Sequence, residues 1–292
     1  MERYIVGMGE ALWDCLPEGR KIGGAPANFA YHVGQFGFKT IAVSAVGDDQ
    51  LGDEIKEKFD QRNLNYSLET VAYPTGTVQV EIDSAGIPCY EIKENVAWDN
   101  IPYSSHLEEI ARNSRVVCFG SLAQRNAVSR ETINKFIDAM PSADYTYKVF
   151  DINLRQHFYN KDTIVNSLNK CNVFKINDEE LVVVKDMFGY EGMSDKEICK
   201  AILADFNLKM LILTCGTEGS YVFSAGEESY MDTPKVEVAD TVGAGDSFTA
   251  TFIASILKGK SIAEAHRRAV EVSAYVCTQN GAMPVLPEEL KF

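Results

Sequence analysis

Short β-branched and apolar runs alternate along the chain with longer segments whose apolar residues recur at helical spacing. Strands are expected at Tyr4 to Met8, Thr40 to Val46, Arg115 to Phe119, Lys148 to Ile152, Val173 to Ile176 and Met210 to Thr214. Helices are expected at Leu51 to Arg62, Ser129 to Met140, Asp178 to Met187, Asp195 to Phe206 and Asp246 to Leu257. A further helix should begin at Pro26 and bury Phe29, Val33 and Phe36. Alternating strands and helices predict an α/β fold with a mostly parallel sheet covered on both faces. Ligands of such sheets bind beyond the carboxyl ends of the strands.

Two segments break this rhythm. Residues 76 to 92 alternate with period two around Ser84-Ala85-Gly86, which predicts a hairpin. An extended piece from about Leu12 to Ile22 interrupts the first strand-to-helix connection. Together they would make a small separate sheet over the strand ends. No repeat, low-complexity tract or linker marks a linear domain boundary.

The 292 residues include 42 acidic and 28 basic side chains, a formal net charge of −14. A nucleic-acid binder needs a basic face and polybasic membrane attachment needs clustered Lys and Arg, so both partners are disfavoured. The apolar run at Tyr4 to Gly9 is too short for a signal-peptide core or a membrane span, and a cytoplasmic protein is expected. Seven scattered cysteines, with no Cys-x-x-Cys and no paired His spacing, read as reduced, mostly packed thiols.

The strongest chemical signal is Asp240-Thr241-Val242-Gly243-Ala244-Gly245-Asp246, immediately before a helical pattern. Small residues at a helix start leave amides uncovered, and the helix dipole adds positive potential, so the segment can bind an anion without Lys or Arg. Asp246 sits at its mouth, where the dipole should hold the carboxylate ionised and able to accept a proton. Turn glycines with an acidic helix-start residue would give the same string. Near the N-terminus, Gly23-Gly24-Ala25-Pro26-Ala27-Asn28 could bring backbone, an amide side chain and the earlier Asp14 against a polyol. They also suit a plain turn into a helix.

Strand alternation would put Asp151, Asn153 and Arg155 on one side if the extended conformation continues, with Arg155 facing an anion. Asn177-Asp178-Glu179-Glu180 offers carboxylates that suit a hydrated Mg2+ and equally suit a helix dipole. Thr214, Gly216 and Gly219 end another strand, in a turn open to close approach by a nucleotide. Two familiar nucleotide motifs fail. Gly259-Lys260-Ser261 lacks the earlier P-loop glycine, since position 254 is Ala254, and the Gly7-Met8-Gly9 turn has Leu12 where a dinucleotide fingerprint has its third glycine.

Taken in order, Gly23-Gly24-x-x-x-Asn28, Asp151-x-Asn153-x-Arg155, Asn177-x-x-Glu180, Thr214-x-Gly216-x-x-Gly219 and Asp240-Thr241-x-Gly243-Ala244-Gly245-Asp246 resemble the ribokinase-like (phosphofructokinase B) carbohydrate kinases. The likeness runs from Gly7 to Pro287, and Gly9-Glu10-x-Leu12-x-Asp14 with Ala97-Trp98-Asp99 looks most like the bacterial fructokinases. The resemblance implies a three-layer ribokinase-like core at residues 1–11, 23–70 and 100–292, with a discontinuous β lid at 12–22 and 71–99 over the sugar site. It also implies that Asp246 is the catalytic base and that the Gly243, Ala244 and Gly245 amides form the anion hole. Asp14, Gly24 and Asn28 would hold sugar hydroxyls, with Arg155 near the sugar or the phosphoryl path. Asn177 and Glu180 would organise Mg2+ through water, and Thr214, Gly216 and Gly219 would line the ATP site. Some members hold a monovalent cation such as K+ beside the anion hole, and Asp240, Val242 and Gly281 occupy the corresponding positions. Members also pair through the lid, which directs attention to Val78, Val80 and Ile82 as a face for a homodimer.

The resemblance leads to ATP-dependent phosphorylation of a sugar hydroxyl, with D-fructose as the expected acceptor. Kinases for 2-keto-3-deoxygluconate, ribose or a nucleoside are the nearest rivals, and a non-catalytic sensor on the same fold is the rival from another class. Retention of Asp246 together with the Gly-Ala-Gly stretch argues against the sensor. The absence of several cationic candidates beyond Arg155 favours a neutral hexose over an acidic sugar.

Overall fold

The computed structural model describes residues 3–16, 19–82 and 88–291. The main sheet has nine strands in the order β13-β12-β11-β10-β9-β8-β1-β4-β5. Its parallel centre comprises β1 (Tyr4–Met8), β4 (Thr40–Gly47), β5 (Tyr66–Val71), β8 (Ser114–Phe119), β9 (Tyr147–Asp151), β10 (Val173–Asn177) and β11 (Met210–Thr214). The strands expected from sequence lie within one residue of these bounds. Their Val, Ile and Phe content suits strands buried on both faces.

Helices α3 (Ser105–Arg112), α4 (Ala127–Ala139), α5 (Lys161–Lys170), α6 (Asp178–Phe188) and α7 (Asp195–Asp205) contribute Leu107, Ile133, Ile164, Leu181 and Ile198 to the core on one face. The other face is covered by α1 (Ala25–Gly34), α8 (Ala244–Leu257) and α9 (Ile262–Cys277), through Phe29, Val33, Phe248, Phe252 and Ala269. Helix α2 (Gln50–Asp60) packs Ile55 and Phe59 into a smaller cluster. The result is a three-layer α/β fold.

One edge departs from the expected parallel pattern. β12 (Ser220–Ser224) pairs antiparallel with β11, and β13 (Glu228–Met231) pairs antiparallel with β12. His266 of α9 fastens both, its ring nitrogens 2.8 and 2.9 Å from the hydroxyls of Ser220 and Ser229.

The two rhythm-breaking segments form a second sheet of four strands in the order β3-β2-β6-β7. It consists of β2 (Leu12–Leu16), β3 (Gly19–Gly23), β6 (Gly76–Ile82) and β7 (Pro88–Ile92). The expected turn at Ser84-Ala85-Gly86 lies outside the described residues. Val78 is not an exposed docking residue. It is buried with Leu12 and Ile92 in the main apolar cluster, because the sheet turns that face inward.

Arg125 locks this sheet to the core. Its guanidinium donates to both Asp99 oxygens at 2.7 and 2.8 Å and to the Lys93 carbonyl at 2.6 Å. The same group stacks between the Trp98 and Phe158 rings.

Candidate functional site

The strand order reverses at β1, which lies between β4 and β8, so the carboxyl ends of β1, β8, β9 and β10 open into one crevice. Helix α8 starts there. Gly243 is its N-cap with φ +80°, and a β-carbon at that position would stand 2.8 Å from Ala282, so glycine is required on both counts. Gly24 has φ +124° and would place a β-carbon 2.4 Å from the Glu10 carbonyl oxygen. These two close approaches bring the starts of α1 and α8 around the strand ends. His32 of α1 adds a bond to the Ala282 carbonyl at 2.8 Å.

Asp246 occupies the first turn of α8, and Asn28 donates its side-chain amide to Asp246 Oδ2 at 2.8 Å. Residues 218 apart in the sequence are thereby joined across the crevice. The dipole was expected to hold Asp246 ionised, but it does not act alone. Asp246 retains a narrow opening to the crevice, but protein surrounds its carboxylate elsewhere. Burial, followed by the nearby Asp151 carboxylate, pushes it up to about 6 against the pull of Asn28, Lys175 and Arg155. A base of that strength is still mostly ionised at pH 7 and is better matched to accepting a proton.

The amides of Gly243 and Gly245 donate to no protein acceptor among the described residues, as an anion site requires. The Ala244 amide instead reaches back to the Thr241 carbonyl at 3.3 Å. The expected three-amide hole therefore has two free donors and one committed to the turn.

Strand alternation does not carry Asp151, Asn153 and Arg155 to one side. β9 ends at Asp151, and Asn153 turns left-handed with φ +43°. Asp151 points inward to Lys175 Nζ at 3.1 Å, with Thr249 donating to its other oxygen at 3.3 Å. Arg155 is exposed and donates to the Leu154 carbonyl, with its charge acting on Asp14, Glu10 and Asp246. Asp14 lies against Gly23 on the second sheet, and burial raises its pKa against the pull of Arg155 and Lys21.

Asn177 and Glu180 form a capping box at the start of α6. Asn177 Oδ1 accepts from the Glu180 amide at 2.8 Å, and Glu180 Oε2 from the Asn177 amide at 2.9 Å. Glu180 Oε1 also accepts from the Leu154 amide at 2.8 Å. Of the two readings of this segment, helix capping is directly visible; each Glu180 oxygen keeps a lone pair for water. Thr214 pairs in register with Asn177, and the turn holding Gly216 and Gly219 follows on the same crevice wall. Asp240 Oδ1 accepts from the Val242 amide at 3.0 Å and Oδ2 from the Gly281 amide at 3.1 Å, so these three converge beside the start of α8. Lys21 of β3 reaches the same carboxylate at 3.5 Å.

Sequence reasoning missed Lys175. It is 7% exposed, paired in register with Asp151 on the next strand, and its Nζ lies 3.3 Å from where a β-carbon on Gly245 would stand. Burial alone would lower its pKa, but Asp151, Glu180 and Asp246 raise it. The ammonium therefore persists behind the two free amides. A lysine inside the apolar run Val173-Phe174-Lys175-Ile176 was the available signal.

The chain matches the pfkB family carbohydrate kinase pattern over residues 18–289. It is 29% identical over 300 residues to a fructokinase of Klebsiella pneumoniae, covering 96% of this chain and 95% of that protein. It is 27% identical over 283 residues to an ATP-dependent 6-phosphofructokinase of Thermoanaerobacterium thermosaccharolyticum, covering 94% and 85%. A double-mutant Vibrio cholerae fructokinase, in a fructose-, ADP- and potassium-bound structure, shares the fold with a TM-score of 0.81 at 22% identity, covering 99% of this chain and 97% of that one. With these matches and the crevice at the start of α8, the chain is an ATP-dependent sugar kinase and belongs to the pfkB family of carbohydrate kinases.

Proposed function

We propose that this kinase transfers the γ-phosphoryl group of ATP to the 6-hydroxyl of D-fructose, with Asp246 as general base. The observation that carries the reading is the Asn28–Asp246 bond at 2.8 Å beside two unsatisfied helix-start amides. In this reading Asp14, Gly24 and Asn28 hold sugar hydroxyls and Arg155 screens the incoming phosphates. Asp246 takes the hydroxyl proton as the oxygen attacks phosphorus. The Gly243 and Gly245 amides, backed by Lys175, stabilise charge on the transferring group, a task that demands positioning more than covalent chemistry. Thr214, Gly216 and Gly219 lie along the nucleotide. Fructose is favoured over related acceptors by the fructokinase relatives.

The four-stranded sheet acts as a lid at 12–22 and 71–99 over the core at 1–11, 23–70 and 100–292, excluding water from the transfer. Pairing of two copies through this sheet is part of the same reading, and light scattering of the purified protein checks it.

Mg2+ bound with ATP would neutralise phosphate charge, and Asn177 and Glu180 fit an outer-sphere role through water. A monovalent cation at Asp240, Val242 and Gly281 would fix the loop entering α8. In that case Lys21 and the cation would share one carboxylate.

The test is ADP release with D-fructose, D-fructose 6-phosphate, ribose, 2-keto-3-deoxygluconate and adenosine, using the chain and its Asp246→Asn variant. The expected result is turnover on fructose that falls about 10²- to 10⁴-fold in the variant, with sugar and ATP still bound. Turnover confined to another acceptor would reassign the substrate. Near-normal turnover in the variant would overturn the assignment of the base.

A further inference from the structure

Glu10 is a buried carboxyl with no part in the scheme above. It follows β1, is 4% exposed, and its Oε2 has no hydrogen-bond partner. A buried carboxylate oxygen left without a protein partner is costly, and it calls for a bound water or a chemical role. A cavity of about 10 Å³, room for about one water, is walled in part by Glu10, Cys118, Asp151, Asn153 and Asp246. Glu10 and Asp246 thus border the same small, partly open cavity, with no side chain of the opposite charge among its walls.

Resting on the kinase reading, we propose that Glu10 is a positioning residue that receives, through one water in this cavity, the proton that Asp246 takes from the sugar hydroxyl. The balance is simple. The sugar O–H bond breaks as its oxygen bonds to phosphorus, and the proton resides on Asp246. Asp246 then gives that proton to the water, which gives one of its own to Glu10 Oε2. No water is consumed, Asp246 is again a carboxylate as the phosphosugar leaves, and Glu10 returns the proton to solvent through the same water and the opened crevice before the next turnover.

Charged groups from several elements face Glu10 and its partner. Burial raises its pKa to about 7, opposed by the amides of Glu10 and Ala25 and by Arg155, and reinforced by Asp246. Asp151 and the ion-paired Lys175 act on Asp246 from β9 and β10, and Cys118 is held as a thiol by burial and the same carboxylates. Burial raises both carboxyls, and the Asp246 charge adds to the rise at Glu10, so the pair can hold one proton between them. The two form a coupled pair, and the pH–rate profile will report both.

Glu10→Gln keeps the shape and removes the acceptor, while Glu10→Asp keeps the acceptor at a shorter reach. In Glu10→Gln we expect kcat to fall about 10- to 100-fold with both KM values held. The acid limb of the kcat profile should move to lower pH, because Asp246 loses a neighbouring carboxylate, and the solvent deuterium effect should change. Glu10→Asp should recover part of kcat. A Glu10→Gln enzyme with wild-type kcat overturns the relay. So does a change confined to sugar KM, which would make Glu10 a sugar ligand, or a kcat loss with the acid limb unmoved, which would leave only a structural role. Absence of wild-type turnover on every acceptor would instead sink the kinase reading on which the relay rests.

Discussion

At the scale of single residues, the site is held in a state that costs stability. Asp246 titrates at about 6 in the fold against 3.8 as a free side chain. A carboxyl raised in this way favours the fold fully only below its unfolded pKa, and that contribution is lost as pH rises through the folded value. Asp246→Asn should therefore stabilise the protein at pH 7.5 even as it lowers turnover. The full linkage is roughly 3 kcal/mol, and the opening to solvent reduces the expected gain to about 1–2 kcal/mol. Urea unfolding at pH 4 to 8 checks this, with the gap between variant and wild type growing up to about pH 6 and flat above it. A constant gap would mean that Asp246 does not titrate in that window.

The residue-level chemistry was legible in the sequence where it is local. Asp246 with its glycines, Asn28 and Asp14 are marked by short spacings. Lys175 is not, because its significance depends on β10 lying beside β9; Glu10 falls in the Gly9-Glu10-x-Leu12-x-Asp14 string, but its burial near Asp246 depends on the fold. The left-handed turn at Asn153 was hidden for a different reason, since nothing in Asp151-Ile152-Asn153 states where extension stops.

At the scale of elements, the buried Arg125–Asp99 pair is the joint between the two sheets, with side chains 6% and 2% exposed. Arg125→Met leaves Asp99 buried without its cation and should cost about 3–5 kcal/mol in urea unfolding. The double variant Arg125→Met, Asp99→Leu should recover most of that loss, because the desolvation of both charges goes with them. If the single and double variants lose equal stability, the joint is held by packing on Trp98 and Phe158 rather than by charge. Sequence pattern reached six of the parallel strands, since apolar strands buried on both faces stand out, but not β5, a partly buried edge strand with the polar sequence Tyr66-Ser67-Leu68-Glu69-Thr70-Val71. It did not reach β12 and β13, short edge strands that His266 of α9 ties down through Ser220 and Ser229. Helix α9 was missed although Ser261-x-x-Glu264 is a capping box and Ala265, Ala269, Val272 and Val276 form its buried stripe. Its small side chains make a weak apolar signal.

For the whole molecule, the net charge of −14 sets a problem that the crevice resolves only at short range. The nucleotide is itself polyanionic, so the overall field repels it on approach. In the proposed site, Lys175 and the amides at the start of α8 would attract it once it is inside, with Arg155 at the exposed rim. Ions screen exposed charges beyond about 8 Å at physiological ionic strength but reach buried groups far less. Added salt should therefore weaken the repulsion more than the attraction. Raising KCl from about 20 to 200 mM at fixed free Mg2+ should speed association of a fluorescent ATP analogue about two- to tenfold, opposite in sign to a positively steered enzyme. Association of neutral fructose, followed by tryptophan fluorescence, should stay flat over the same range and controls for an effect of K+ on the Asp240 loop. A nucleotide association rate that falls with salt would mean that local cations project beyond the crevice and govern capture despite the surplus of acidic side chains.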